Sequence, residues 1–383
     1  MKARTPAVIV GGTLNALGVV RSLARLGMSI HLVVTTRLHT AAWSRFCHVE
    51  RFPSVCGHHL IDGLKQLSNR LGEPAVLFLT EDKDVEVVST YRAELEHCFR
   101  FSLPPAEVVP ILADKTQFQK FAEREGFPVP RAIILGSVQD LPLMETLTPP
   151  FVIKPNNFQT GPDRHIKRVA RSSTLEQARS VAIEMLKGGG GIVVQEWIDG
   201  ADSDIFFTLF ACDSNSRATA LFSGRKLTCS PPNVGSTALC QAAGDRTGEL
   251  VKLTLQFIRR VCYKGVGSLE FKLNRKTNRF VIIEPTVGRT DWQEEIATLC
   301  GVNIPIVAYE NAVGQKFEQA PRETTGVVWR SSLQYRPPPG ALPRGTKIVD
   351  GHFRLADPVP GLYHYTIEQF AQPIWLLAKR AVS

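Results

Sequence analysis

Along the first 110 residues, short apolar runs closed by glycine alternate with stretches whose apolar positions recur every three or four residues. PAVIVGG (6–12) is too short for a helix and reads as a buried strand. NALGVVRSLARLG (15–27) sets Leu17, Val20, Leu23 and Ala24 on one helical stripe, and residues 29–34 return to strand. AVLFLT (75–80) is a further buried strand, ending in Glu81 and Asp82. Strand and helix alternating in this way predict a parallel sheet with right-handed crossovers. LPPAEVVP (103–110), stiffened by three prolines, predicts a rigid exit from this unit.

Beyond it the pattern changes. Asp114 is placed to cap a helix carrying Phe118, Phe121 and Ala122, which Gly126 ends. Strands are predicted at 132–135 and at FVIK (151–154), then a polar loop at 156–166 that could close as a lid, and a helix over 174–187. The glycine run 188–191 precedes a strand rather than a helix, so it predicts a turn, not a phosphate cradle. IFFTLFA (205–211) and ATALF (218–222) predict an antiparallel pair, with Arg225 and Lys226 together at its end. A helix over 246–262 then leads into GVGSLEFKLNRKTNRFVIIEPTVGR (265–289), two strands around a polar turn. After residue 320 the pattern weakens. PPPGALPRG and DPVPGL predict rigid loops, and TIEQFAQPIWLLAKRAV a helix interrupted at Pro373.

At 383 residues the chain calls for two or three α/β domains. With 44% hydrophobic and 21% charged residues it reads as an ordinary globular protein, and no apolar run approaches the roughly 20 residues of a bilayer span. Eight cysteines without a CxxC predict reduced thiols and a cytoplasmic setting. A net charge of +9 fits an anionic partner. No dense basic run interleaved with aromatics supports a nucleic-acid groove, and the basic residues sit singly at strand ends and in loops, which favours small anions.

The hairpin carries the first candidate chemistry. Glu270 lies in its first strand and Glu284 closes its second, and in a hairpin two such residues can become cross-strand neighbours. Paired carboxylates repel unless something positive lies between them, and a hard divalent cation or Lys272 and Arg275 could each supply that charge. Lys154 at a strand end and Lys115 in a first helical turn suit a phosphate. Gly11, Gly12 and Gly18 approach a dinucleotide fingerprint without its spacing, and Thr35-Thr36-Arg37 stands where its acidic residue belongs. CHVERFPSVCGHH (47–59) offers zinc ligands at a spacing no common structural site uses.

Taken in order, a lysine in a DK helix, IKP, QEWIDG, RK, GSLEFK and IIEPTVGR resemble the motifs of the ATP-grasp superfamily, and within it carboxylate–amine ligases related to D-amino-acid ligases and biotin carboxylase. The resemblance spans about residues 1–315 and includes GVNIP (301–305). It implies an α/β fold, α+β in its C-terminal part: a Rossmann-like domain (1–110), a small lobe with the phosphate lid (111–198), a large lobe with the metal site (199–320) and a C-terminal extension (321–383). Lys115 and Lys154 would hold the phosphates of ATP. Gln195 would face the adenine amino group, and the backbone of Trp197 and Ile198 its edge, with Glu196 in the same cofactor-binding stretch. Asp202 stands where the family has an acid for the ribose. Lys226, with Arg225, would reach the γ-phosphate, and Arg289 would orient the acyl phosphate or carboxylate. Glu270, Glu284 and Thr286 would ligate Mg²⁺, with Mn²⁺ as a substitute.

The sequence departs from the family in three places. Thr286 replaces the usual Asn, the lid has only Gly161, and the ribose acid is Asp rather than Glu. The implied reaction joins a small-molecule carboxylate to an amine at the expense of ATP, with no nucleic acid involved and a homodimer left open. ATP binding without ligase turnover is the alternative.

Overall fold

The computed structural model describes residues 4–155, 169–189, 191–316, 326–337, 340 and 342–369. The expected lid at 156–166 and the last apolar stretch from 370 onward lie outside the described residues.

Three sheets organise the chain. The first is parallel: β1 (Ala7–Val10), β2 (Ile30–Val34), β3 (His48–Arg51), β4 (Ala75–Leu79) and β5 (Phe99–Arg100), in the order β3-β2-β1-β4-β5. Every residue of β1 and β4 is buried, as expected of a sheet covered on both faces. Its helices are α1 (Leu14–Ala24), α2 (His58–Leu71), α3 (Asp82–Thr90) and the single turn α4 (Arg92–Leu95). The turn from β1 to α1 needs glycine at its start. Gly11 has φ +122°, and a Cβ there would lie 2.0 Å from Thr80 Oγ1.

The expected exit at 103–110 is partly helical, since α5 (Val108–Ala113) contains Pro110. Pro110 sits in the first turn, where a backbone N–H has no intrahelical acceptor to lose. Helix α6 (Lys115–Arg124) follows at once, and Asp114 caps it by accepting from the Thr116 and Gln117 amides.

The second sheet is antiparallel and four-stranded: β6 (Ala132–Leu135), β7 (Phe151–Pro155), β8 (Ala170–Ser172) and β9 (Ile192–Glu196), in the order β6-β9-β7-β8. With α7 (Leu175–Lys187) it encloses its own small core around Phe151, Ile153, Met185 and Val194, separate from the rest.

The third sheet has seven strands: β10 (Ile205–Cys212), β11 (Ala218–Ser230), β12 (Ser236–Ala242), β13 (Gly265–Asn274), β14 (Arg279–Val287), β15 (Val327–Arg330) and β16 (Lys347–Asp350). Their order is β14-β13-β10-β11-β12-β15-β16, antiparallel except for the β15–β16 edge. Residues past 320 therefore extend this sheet. One face packs Phe206, Phe210, Phe271 and Phe280 with α8 (Thr247–Arg260), in a core shared with the first sheet. Phe206 and Phe280 meet edge-on at 5.0 Å. The other face meets α1, α9 (Glu295–Leu299) and α10 (Ile304–Val313) through Phe207, Leu209, Cys240 and Trp329. DPVPGL, expected as a loop, leads instead into a short helix, α11 (Val359–Tyr363).

Candidate active site

β11 is longer than the sequence suggested. It runs on through Arg225 and Lys226, which therefore lie inside a strand and not at its end. Neighbouring strand residues face opposite ways, so the pair is split. Arg225 lies over the Phe206 ring at 5.4 Å, and its Nε donates to the Ser203 carbonyl. Lys226 points to the other face, where its Nζ meets Glu270 Oε2 at 2.5 Å.

On that face β13 and β14 pair Glu270 directly with Glu284, and Ser268 with Thr286. A bulge at Ile283 follows, since Phe271 already pairs with Ile282. Beside Glu270, β10 contributes Phe207 and β11 Gly224. A Cβ on Gly224 would lie 2.2 Å from the Phe207 ring, so glycine lets that ring pack beside the acids. Across the cleft, Lys115 at the start of α6 lies 3.4 Å from Glu284, and Lys154 on β7 is buried. A small cavity joins Lys115, Lys154, Gln119, Gln195, Ile283 and Glu284. It lies between the second sheet and the hairpin.

The electrostatics follow from this packing. Lys115, first, with Lys154 and Lys226, holds Glu284 down to about 2 against its partial desolvation. Burial raises Glu270, which Lys226 opposes and Glu284 reinforces. Burial works to lower Lys226, but Glu270 more than offsets it and keeps the amine charged. Lys154 is lowered, chiefly by burial.

Other expected positions are engaged elsewhere. Asp202 accepts from the amides of Cys229 and Asn233 at 2.7 and 2.8 Å, so both of its oxygens pin the β11–β12 turn. The Trp197 amide donates to the Pro150 carbonyl at 2.8 Å. Glu196 faces Arg131 and accepts from the Thr148 amide. Ile198 follows β9 in an irregular, half-buried stretch. Gln195 is buried in the cleft, its Nε2 donating to Gln119 Oε1 at 2.8 Å. Gln119 was missed in the sequence, although it stands one helical turn after Lys115 on the same side of α6. Asp291 was also missed; it accepts from Ser268 at 3.0 Å, beside Thr286. Arg289 joins the hairpin to the first sheet through Asp82, at 2.5 and 3.0 Å.

Among the described residues no group of three or more His, Cys, Asp or Glu converges on a metal position. The Cys47–His59 cluster is dispersed: Cys56, His58 and His59 are exposed, and His58 pairs with Asp62 and Glu94. The hairpin offers a different donor set, two carboxylates in register with each other and the Thr286 hydroxyl two pairs further on. All three donors are oxygen, which suits a hard cation such as Mg²⁺.

No protein-family profile matches the chain, and no curated protein matches it in sequence. Solved structures do match its fold. The N5-carboxyaminoimidazole synthetase of Staphylococcus aureus superposes with a TM-score of 0.64 at 13% identity, over 83% of this chain and 79% of that one. The biotin carboxylase domain of the Hydrogenobacter thermophilus 2-oxoglutarate carboxylase, solved with MgADP, ADP and bicarbonate, gives 0.65 at 14% identity, over 85% and 73%. An L-amino acid ligase from Bacillus licheniformis gives 0.62 at 16% identity, over 82% and 75%.

The chain has the ATP-grasp fold. The cavity lined by Lys115, Lys154 and Glu284 lies between its antiparallel second sheet and its seven-stranded third sheet. Among the described residues, no helix is long and apolar enough to cross a membrane.

Proposed function

We propose that this chain is an ATP-dependent carboxylate–amine ligase. One observation carries the reading. Glu270 and Glu284 stand in register on one sheet face, and lysines from three separate elements close on them: Lys226 from β11, Lys115 from α6 and Lys154 from β7. A cluster of that composition, set in a cleft between two lobes, suits a polyanion held together with a hard cation. The S. aureus, H. thermophilus and B. licheniformis structures support it at the level of the fold.

In this reading Lys115 and Lys154 bind the phosphates, Gln195 presents its amide to the adenine and Lys226 reaches the γ-phosphate. Glu270, Glu284 and Thr286 would hold Mg²⁺, which supplies charge neutralisation at the phosphate oxygens. Arg289 orients the carboxylate. An oxygen of that carboxylate bonds to the γ-phosphorus as the bond to ADP breaks. The amine nitrogen then displaces phosphate from the acyl carbon and gives up a proton to solvent. Positioning and fixed charge supply the rate, so no nucleophilic side chain is required.

Incubation with ATP, Mg²⁺ and pooled amino acids should release ADP and phosphate together. ATP left intact across all pools by a protein that binds it would overturn the ligase reading. That result would favour ATP binding without turnover, a second reading supported by Thr286 at the position of the usual Asn and by the closed Lys226–Glu270 pair.

A further inference from the structure

Arg289 stands where the proposed ligase needs a free guanidinium fork, yet that fork is filled. Its Nε and Nη2 donate to the two oxygens of Asp82, and its Nη1 donates to the Thr290 carbonyl at 3.0 Å. Thr290 is itself locked to Asn15: its hydroxyl donates to Asn15 Oδ1 at 2.7 Å, and its carbonyl accepts from Asn15 Nδ2 at 2.8 Å. The arginine is therefore fixed, with 18% of its side chain exposed. Asp82 is 40% exposed on the first residue of α3, at the carboxyl end of β4, and is the partner free to move.

The ground around Asp82 is acidic. Glu81 precedes it and pairs with Lys83. Asp84, two residues on, is buried, and its Oδ1 has no hydrogen-bond partner among the described residues.

We infer that Asp82 is a specificity-determining residue that exchanges partners with a zwitterionic α-amino acid: the substrate carboxylate takes its place on Arg289, and Asp82 takes the substrate ammonium. Such an exchange conserves charge pairs. An acid lacking the amino group would expel Asp82 and leave it unpaired beside Glu81 and Asp84. An amine lacking the carboxylate would leave the mostly buried Arg289 unpaired, and an unpaired buried charge is strongly unfavourable. An amino group held as ammonium by Asp82 has no free lone pair to attack an acyl phosphate, so the amino acid bound here is the acyl donor.

This inference rests on the ligase reading, and binding tests it separately from turnover. The twenty proteinogenic L-amino acids, and for each binder the acid lacking its amino group, would be titrated calorimetrically into protein saturated with Mg·ADP. At least one amino acid should bind wild type about tenfold or more tighter than its deaminated counterpart. Asp82→Asn should reduce that preference to about threefold or less, with Mg·ADP binding unchanged, and Asp82→Glu should restore much of it. Arg289→Lys should weaken both ligands alike. A preference that survives Asp82→Asn, or wild type that binds Mg·ADP but none of the twenty, would overturn the inference. Loss of the ligase reading would look different: amino-acid binding with the expected preference, but no ADP release.

Discussion

Replacing Lys226 with methionine keeps the length of the side chain and removes the buried charge from a pair whose other member is only partly exposed. Lys226 is 4% exposed, and its 2.5 Å contact leaves 22% of the Glu270 side chain exposed. Breaking a buried pair by removing one partner costs about 3–5 kcal/mol, because the remaining charge stays desolvated. Here Glu284, directly across the strand, adds repulsion. Unfolding entropy of about 2.1 cal/mol/K per residue over 383 residues converts that loss into a fall in Tm of roughly 4–6 °C. Part of the deficit should vanish on acidification. An unpaired Glu270 binds its proton more tightly folded than unfolded, so lowering the pH relieves the variant. The Lys226→Met/Glu270→Gln double variant removes both charges and should recover most of the lost Tm without recovering ADP release. Scanning calorimetry on the two single variants and the double variant gives the coupling energy. A coupling below about 0.5 kcal/mol would refute the buried-pair assignment, since independent sites add within that margin.

Two further predictions concern pH. Glu284 titrates near 2, held down first by Lys115, so its contribution to stability is complete above the ordinary value of 4.5 and is lost as pH falls toward 2. Glu284→Gln should flatten the stability profile in that window when denaturation is followed from pH 5 to pH 2. Asp84 is shifted the other way, pushed up from 3.8 to about 7 by burial, with Glu81 adding to the effect. Its charge therefore destabilises the fold increasingly from 3.8 to about 7, and fully above that. Asp84→Asn should raise stability at pH 8 by about 1–3 kcal/mol and change little at pH 4 in urea titrations, and equal effects at both values would exclude the assignment.

The hairpin was legible in the sequence because alternation with period two and a short polar turn fix its register. Glu270 opposite Glu284 follows from that register. The capped helix at Asp114 was legible for a similar reason, since its signal is local. β11 was cut short because Ser223–Ser230 alternates poorly. The strand is irregular beyond Lys226, and a bulge hides the period. That misplacement set Arg225 beside Lys226 when the pleat points them apart. Arg289 with Asp82 joins residues 207 positions apart, and Asp202 with the Cys229 and Asn233 amides is likewise a tertiary contact. Neither leaves a trace in local pattern. The strands past residue 320 were missed because each has only four residues: β15 is a short apolar run without alternation, and β16 is a half-buried edge strand with little apolar pattern to mark it.

In the proposed ligase the Glu270–Glu284 pair holds a divalent cation beneath a nucleotide. Isothermal titration of ADP with and without Mg²⁺, on wild type and on Glu270→Gln/Glu284→Gln, addresses it most directly. In wild type, Mg²⁺ should tighten ADP binding about tenfold or more, and in the double variant it should leave binding within about twofold. Equal magnesium dependence in both proteins would contradict the claim.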